Sequence, residues 1–237
     1  MHPVEWHSSY GECVDCGCYV NRRPPVDEEL SGLYAYDPYW QVRQKARGYP
    51  TIEKRGELYR TDGRLEYWLR LVERFAPAPH RVVEIGCAPG ALLYELTKRG
   101  YGCIGVEAHD SVGRWLRERL GLDVRVGLFP DVSLPPCDVF LALDVLEHTA
   151  DPDRFLKEAA RLLDDGGIAI IQTPIAFQGD RQPFADNPEW FDDVEHLVLL
   201  SDRGMAAVAS RAGLKVIHLG EAALGLGGVC VLAKPPR

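Results

Sequence analysis

The segment Val82-Val83-Glu84-Ile85-Gly86-Cys87-Ala88-Pro89-Gly90 constrains this chain more than any other. Val82 to Ile85 reads as a short buried strand carrying one acid. Two glycines four residues apart follow, and Ala91-Leu92-Leu93-Tyr94-Glu95-Leu96 then opens a helix. A strand, a glycine turn and a helix N-terminus in direct succession make a seat where a ligand rests against bare backbone.

From residue 80 onward the pattern alternates. Strands are expected at 81–86, 103–107, 123–126, 138–143 and 168–173, with helices at 90–99, 111–120 and 153–163 between them. Gly166-Gly167 is read as the stop of the third of these helices. A loop spans 174–200. A helix over 201–212 begins at Ser201-Asp202 and ends at Gly213. Two last strands, 215–220 and 227–233, have only Glu221 to Leu226 between them, too short for a helical crossover, so they should pair antiparallel. The expected fold is therefore α/β: a doubly wound, mostly parallel sheet with a C-terminal antiparallel hairpin, spanning 79–237.

Residues 1–78 read as a small ribbon-like and helical extension that caps a substrate site. Residues 1–23 show neither a helix nor a strand period. Helices are expected from about 24 to 36, from 39 to 47 and, as one long amphipathic element, from 56 to 75. Cys13-Val14-Asp15-Cys16-Gly17-Cys18 contains a CxxCG knuckle, in which the glycine lets two thiolates face one metal. Cys13 and Cys16 supply half of a tetrahedral zinc site, which Cys18, His7 or His2 would have to complete. The alternative is a loop with free thiols.

Composition narrows the function. The chain has 237 residues, 46% of them hydrophobic and 26% charged, as expected for one globular α/β domain with a small appendage. No apolar run approaches the ~18–20 residues of a membrane span. The first residues lack a basic segment followed by an apolar one, so a cytoplasmic protein is expected. The net charge of −8 argues against DNA or bulk RNA as partner. A local exception lies between Arg43 and Arg60, either a solvated helix face or a patch for an anionic group. Cys87, Cys103, Cys137 and Cys230 sit in apolar segments, where free cysteine behaves as a small hydrophobe.

The turn itself selects its ligand. It is Glu84-x-Gly86-x-x-x-Gly90, not G-x-G-x-x-G, and Ala88 stands where a dinucleotide fold needs its second glycine. Pro89 removes an N–H that an anion would use. Glu84 repels phosphate and can organise an ammonium group. Glu107, at the tip of the second strand, stands where a carboxylate meets a ribose diol. The fitting guest carries a ribose and a cationic centre without phosphates, the character of S-adenosylmethionine.

Residues 80–235 resemble a class I S-adenosylmethionine-dependent methyltransferase. The Val82–Gly90 segment is similar to that family's first motif, and Gly105-Val106-Glu107 to its ribose-binding strand. Leu143-Asp144-Val145-Leu146-Glu147-His148-Thr149-Ala150-Asp151-Pro152 is similar to the segment after the fourth strand. Leu162-Leu163-Asp164-Asp165-Gly166-Gly167 is similar to the turn before the fifth. The resemblance implies a Rossmann-like methyltransferase sheet and a set of roles. Gly86, Cys87, Ala88 and Gly90 would admit the methionine end to the backbone. Glu84 would hold its amino group and Glu107 the ribose hydroxyls. Leu128 would pack on adenine, although Gly127-Leu128-Phe129-Pro130-Asp131 departs from the family in lacking an Asp directly after the third strand. Asp144 and Val145 would flank the transferred methyl.

The N-terminal half, with Cys13-x-x-Cys16-Gly17, Asn21-x-Arg23-Pro24, Glu29-Leu30 and Leu33-Tyr34, resembles small-molecule methyltransferases in which a zinc ribbon precedes the catalytic domain. Glu195-His196-Leu197-Val198-Leu199-Leu200-Ser201 falls where that group has a His before the helix that follows strand five. The first Cys pair of that ribbon is missing here. The implied function is methyl transfer to a small molecule such as a sugar, a natural product or a lipid- or quinone-like intermediate. His196 is the first candidate base and His148 the second. Two other readings are a tRNA wobble-base methyltransferase and a non-catalytic binding module on the same fold. The sequence leaves the acceptor and the oligomeric state open.

Overall fold

A computed structural model of the chain describes residues 1–4, 7–24, 37–177, 190–192 and 194–236. Its organising strand is β4 (Arg81–Ile85), flanked in parallel by β5 (Gly102–Glu107) and β7 (Cys137–Leu143). β4 is central because it is apolar on both faces. Val82 packs into a cluster with Leu65, Trp68, Leu69, Leu92 and Leu96, whereas Val83 and Ile85 pack with Phe155, Leu156, Met205 and Val208. Helices therefore cover both faces. On one lie α3 (Arg64–Phe75), α4 (Ala91–Lys98) and α5 (Asp110–Leu120). On the other lie α6 (Pro152–Leu162) and α7 (Asp202–Arg211).

The seven-stranded sheet runs β11-β12-β8-β7-β4-β5-β6, with β6 at Val124–Val126, β8 at Leu163–Thr173, β11 at Lys215–Glu221 and β12 at Gly228–Ala233. β12 pairs antiparallel with both β8 and β11, so the expected C-terminal hairpin is present in a mostly parallel sheet. The strand order reverses between β4 and β7. In open α/β sheets this is where the crevice at the carboxyl ends of the strands receives ligands.

Four local expectations need correction. Residues 1–23 are not irregular: β1 (His2–Val4), β2 (His7–Glu12) and β3 (Tyr19–Asn21) form an antiparallel ribbon, with strands too short for their alternation to register in the sequence. The expected helix over 56–75 is two helices, α2 (Ile52–Thr61) and α3. Asp62-Gly63 separates them, because Gly63 takes φ 91° and the Asp62 carboxylate accepts the Arg64 N–H at 3.0 Å. Gly166-Gly167 does not stop α6. The helix ends at Leu162 and β8 starts at once, with the glycine pair inside it. A Cβ on Gly167 would lie 2.9 Å from the Asp138 carbonyl oxygen, so glycine lets β8 pass its neighbour. The stretch 174–200 holds β9 (Ile175–Ala176) and β10 (Val198–Ser201). The expected helix over 24–36 lies almost wholly outside the described residues. The element expected at 39–47 is α1 (Asp37–Gln44), wound as a π-helix.

β3 pairs antiparallel with β10, and β10 pairs parallel with β9, so the second sheet takes strands from both ends of the chain. The cysteine loop leans on the start of α7. Ser201 caps that helix by accepting the Gly204 N–H at 2.9 Å, and its hydroxyl donates to the Cys16 carbonyl. Cys18 lies so close over Gly204 that no Cβ fits there.

Gly90 closes the turn after β4 with φ 83°, and a Cβ there would stand 2.6 Å from a Leu116 methyl. Gly90→Ala is expected to cost about 2 kcal/mol, lowering the thermal midpoint by about 4–8 °C. Differential scanning calorimetry of the two proteins checks this.

Candidate active site

The carboxyl ends of β4, β5 and β7 open into a cavity of about 650 Å³. Its floor is the turn after β4. Gly86 takes φ 67°, and a Cβ on it would meet Val145 at 2.7 Å, so the backbone here has no room for a side chain. Cys87 is buried and faces Gly105, where a Cβ would lie 2.5 Å from its sulfur. The glycine of β5 and the cysteine of the turn thus fit together, and burial holds the thiol well above its usual pKa.

Glu84 is 6% exposed, and its Oε2 has no hydrogen-bond partner. Burial alone pushes its carboxyl up to about 8. A carboxylate kept out of water without a partner is costly unless a cation meets it. Glu107, at the end of β5, accepts the His109 N–H at 3.2 Å, and burial raises its pKa also. The two acids therefore stand at neighbouring strand ends, one unpartnered at depth and one at the rim.

On the β7 side Asp144 adopts φ 56°, a left-handed backbone that a non-glycine residue keeps only under constraint. The constraint is a buried relay. Trp68 Nε1 of α3 donates to Gln172 Oε1 at 2.9 Å, and Gln172 Nε2 donates to Asp144 Oδ1 at 2.9 Å. Glu147 is 2% exposed, accepts from the Thr173 hydroxyl at 2.8 Å, and is pushed up to about 8 by burial and then by the Asp144 charge.

Among the expected site residues, Glu84, Gly86, Cys87, Ala88, Glu107, Leu128, Asp144, Val145 and His148 line the cavity. Gly90 does not; it shapes the turn from beneath, against α5. His196 does not line it either, but its ring lies against His148 with centroids 5.0 Å apart. His148 faces the Glu195 carbonyl through Nδ1 at 2.8 Å, and His196 faces the Trp190 carbonyl through Nδ1 at 2.6 Å. Nδ1 must carry the proton to donate to a carbonyl, so Nε2 is the basic nitrogen of each ring. Burial, then the nearby His196, lowers the His148 pKa to about 3, so the ring is neutral.

Among the described residues, Glu147, His148 and His196 are a metal-capable trio, with ligand atoms within 4.8 Å of one another. Cys13 and Cys16 belong to no such trio. Their thiols are free, and the Cys16 sulfur lies 3.3 Å from Cys18, which is packed into the protein. The expectation of zinc at Cys13 and Cys16 finds no support.

The cavity roof draws on the aromatic and basic stretches of the N-terminal helices, with Tyr39, Trp40 and Arg55 in its lining. Arg55 of α2 sits among Trp40, Tyr49 and Tyr59 with its guanidinium 5.3–5.5 Å from the three rings. It donates to Gln44 Oε1 at 2.9 Å and to the Tyr59 hydroxyl at 2.5 Å, and it lines the cavity. Its hydrogen-bond partners are neutral, and its charge acts across the cavity on Asp144 and Glu107. The patch reading of the Arg43–Arg60 run counts Arg55 among its basic residues, and of that run's cations Arg55 is the one that lines the cavity.

A family model described as "Methyltransferase domain" matches residues 59–219. The chain belongs to the methyltransferase domain family. It is 30% identical over 101 residues to a ubiquinone biosynthesis O-methyltransferase of Caulobacter sp. (strain K31), a match covering 39% of this chain and 40% of that protein. It is 39% identical over 100 residues to a trans-aconitate 2-methyltransferase of Mycolicibacterium gilvum (strain PYR-GCK), covering 40% and 38%. The chain thus spans about two fifths of the length of these relatives. A solved 1,6-didemethyltoxoflavin-N1-methyltransferase of Burkholderia thailandensis superposes with a TM-score of 0.62 at 14% identity, covering 94% of this chain and 98% of that one. That likeness establishes the Rossmann-like methyltransferase fold. No helix among the described residues is long and apolar enough to cross a membrane.

The acids predict a pH dependence. Glu84 and Glu147 have folded-state values near 8 against 4.5 for an unperturbed carboxyl, so the folded state binds more protons than the unfolded one between those limits. Their contribution is fully present below pH 4.5 and is lost as pH rises toward 8. His148 acts oppositely, but only below its unfolded value of 6.5. Between pH 6.5 and 8 the ligand-free methyltransferase is expected to lose stability, each acid contributing a slope of at most about 1.4 kcal/mol per pH unit. Glu84→Gln should flatten that slope, as read by urea unfolding across the range.

Proposed function

We propose that this methyltransferase moves a methyl group from S-adenosylmethionine to a small-molecule acceptor. The observation that carries the proposal is the unpartnered Glu84 carboxylate beneath a turn whose Gly86 backbone has no room for a Cβ. These features favour an ammonium group over a phosphate. The remaining cavity groups fit the same guest. Glu107 would accept from the ribose hydroxyls. Leu128, 58% exposed in this structure, has apolar surface to give an adenine ring. Arg55 would meet the methionine carboxylate, and Val145, against Gly86, would flank the sulfonium end together with Asp144.

S-adenosylmethionine supplies an electrophilic methyl on a sulfonium, which a nucleophile displaces in line. The chain's own work is to position the acceptor within ~3 Å in a site that excludes water. His148, on the cavity wall with the lone pair of its neutral ring on Nε2, is the imidazole that reaches an acceptor directly. His196, against it, backs that ring. Together they form the base site for an acceptor that must lose a proton. A cavity of about 650 Å³ has the size of a small-molecule site, and the relatives' names include small-molecule acceptors. The acidic balance of the chain disfavours the tRNA reading. The retained Glu84, Gly86, Glu107 and Asp144 disfavour a non-catalytic module. Residues 1–78 act as the cap and 79–237 as the catalytic domain.

His148→Ala and His196→Ala are each expected to lower turnover by about 10²–10⁴-fold while S-adenosylmethionine affinity stays nearly intact. Radiolabelled methyl transfer, compared with equilibrium dialysis of the cofactor, separates the two quantities. Lost cofactor binding with turnover per bound enzyme preserved would count against the base assignment.

A further inference from the structure

The N-terminal ribbon has no part in the base-site reading above, yet it touches the segment that carries His196. Tyr10 of β2 is fully buried, and its hydroxyl lies 2.6 Å from the His196 carbonyl oxygen and 2.9 Å from that of Asp192. Its ring meets Phe191 edge-on at 5.1 Å, and Tyr19 of β3 meets the same ring at 5.3 Å. Asn21 N–H donates to the Leu197 carbonyl at 2.9 Å, just before β3 pairs with β10. Ribbon groups therefore contact the described part of the 190–197 segment at Phe191, Asp192, His196 and Leu197.

That segment holds both imidazoles. Glu195 presents the carbonyl that accepts from His148 Nδ1, and Trp190 presents the one that accepts from His196 Nδ1. Leu197 N–H donates to the Glu147 carbonyl at 2.7 Å, tying the segment to the turn that carries His148. From the other side, Arg43 and Arg47 clamp its acids. Arg47 reaches Glu195 at 2.9 Å and Asp192 at 3.1 Å, and Arg43 reaches them at 2.6 and 2.8 Å. The Asp192 carboxylate folds back to accept the Val194 and Glu195 N–H groups, both at 2.9 Å. Carbonyl positions accurate to a few tenths of an ångström decide which ring nitrogen keeps the proton.

We propose that Tyr10 is a positioning residue for the base site. Its hydroxyl, bridging the Asp192 and His196 carbonyls, holds the 190–197 segment so that Glu195 and Trp190 lock His148 and His196 with the proton on Nδ1. The ribbon is thereby a splint for this segment, and its cysteine loop anchors the splint on α7 through Ser201 and through Arg203, which donates to the Asp15 carbonyl at 2.6 Å. The inference rests on the base-site reading for its meaning in catalysis, but its geometry can be tested without an acceptor.

The experiment uses the full chain labelled with ¹⁵N-histidine and saturated with S-adenosylhomocysteine, read by long-range ¹⁵N–¹H correlation. In the unaltered protein His148 and His196 should each show one tautomer, protonated at Nδ1. In Tyr10→Phe, which keeps the ring and removes the hydroxyl, both should move toward the mixed tautomers of free imidazole, while S-adenosylhomocysteine affinity changes by less than about twofold. A folded Tyr10→Phe protein with both tautomers unchanged would overturn the proposal. Should that variant not fold, amide exchange in the unaltered protein decides. The His196 and Leu197 amides should exchange as slowly as Leu199 in β10, and fast exchange there overturns the splint. Were the base reading wrong instead, methyl transfer would survive His148→Ala while the tautomer shift persisted.

Discussion

Glu84 keeps a carboxyl group in the core with one oxygen unpaired, and the rest of the site is arranged around that acid. Desolvating an acid without a partner is among the more expensive features a fold can carry. It persists here because β4 is an interior strand packed on both faces, and its end cannot move without disturbing both layers of helices. The turn that follows runs under the same constraint. Gly86 and Gly90 take left-handed backbone where side chains of Val145 and Leu116 leave no space for a Cβ. The result is a narrow seat with a buried acid beneath it, which an arriving cation would ionise and a diphosphate would not.

Opposite this seat the structure spends its polar groups on orientation. Trp68 holds Gln172, and Gln172 holds Asp144 in a strained conformation at the cavity wall. Tyr10, Arg43 and Arg47 hold the 190–197 segment, which in turn faces the two imidazoles. These chains of contacts start in the N-terminal third and end at groups that β7 and the segment before β10 carry. The ribbon, α1 and α3 thus brace the groups around the cavity.

The floor and rim of the cavity were legible in the sequence because their residues are local. Glu84, Gly86, Gly90 and Glu107 fall within two strand ends and one turn, and each residue type follows from what the backbone does there. The parallel order and the antiparallel hairpin were legible from helix and loop lengths. The groups that brace the cavity wall were not. Gln172 and Tyr10 act from β8 and β2, and nothing in their own neighbourhoods marks them as polar groups that will meet. The long helix over 56–75 was misjudged because an amphipathic stripe continues across Asp62-Gly63, while the backbone does not. The CxxCG knuckle resembled half of a metal site, but Cys18, a thiol that would have to complete it, packs its sulfur against Gly204 and Ser201 as a small apolar group.

The central claim is that the turn after β4 holds S-adenosylmethionine, and calorimetric titration of the full chain tests it most directly. The account predicts saturable one-to-one binding of S-adenosylmethionine and S-adenosylhomocysteine, with no binding of NAD under the same conditions. Failure to bind either sulfur nucleoside, or preference for the dinucleotide, would contradict it.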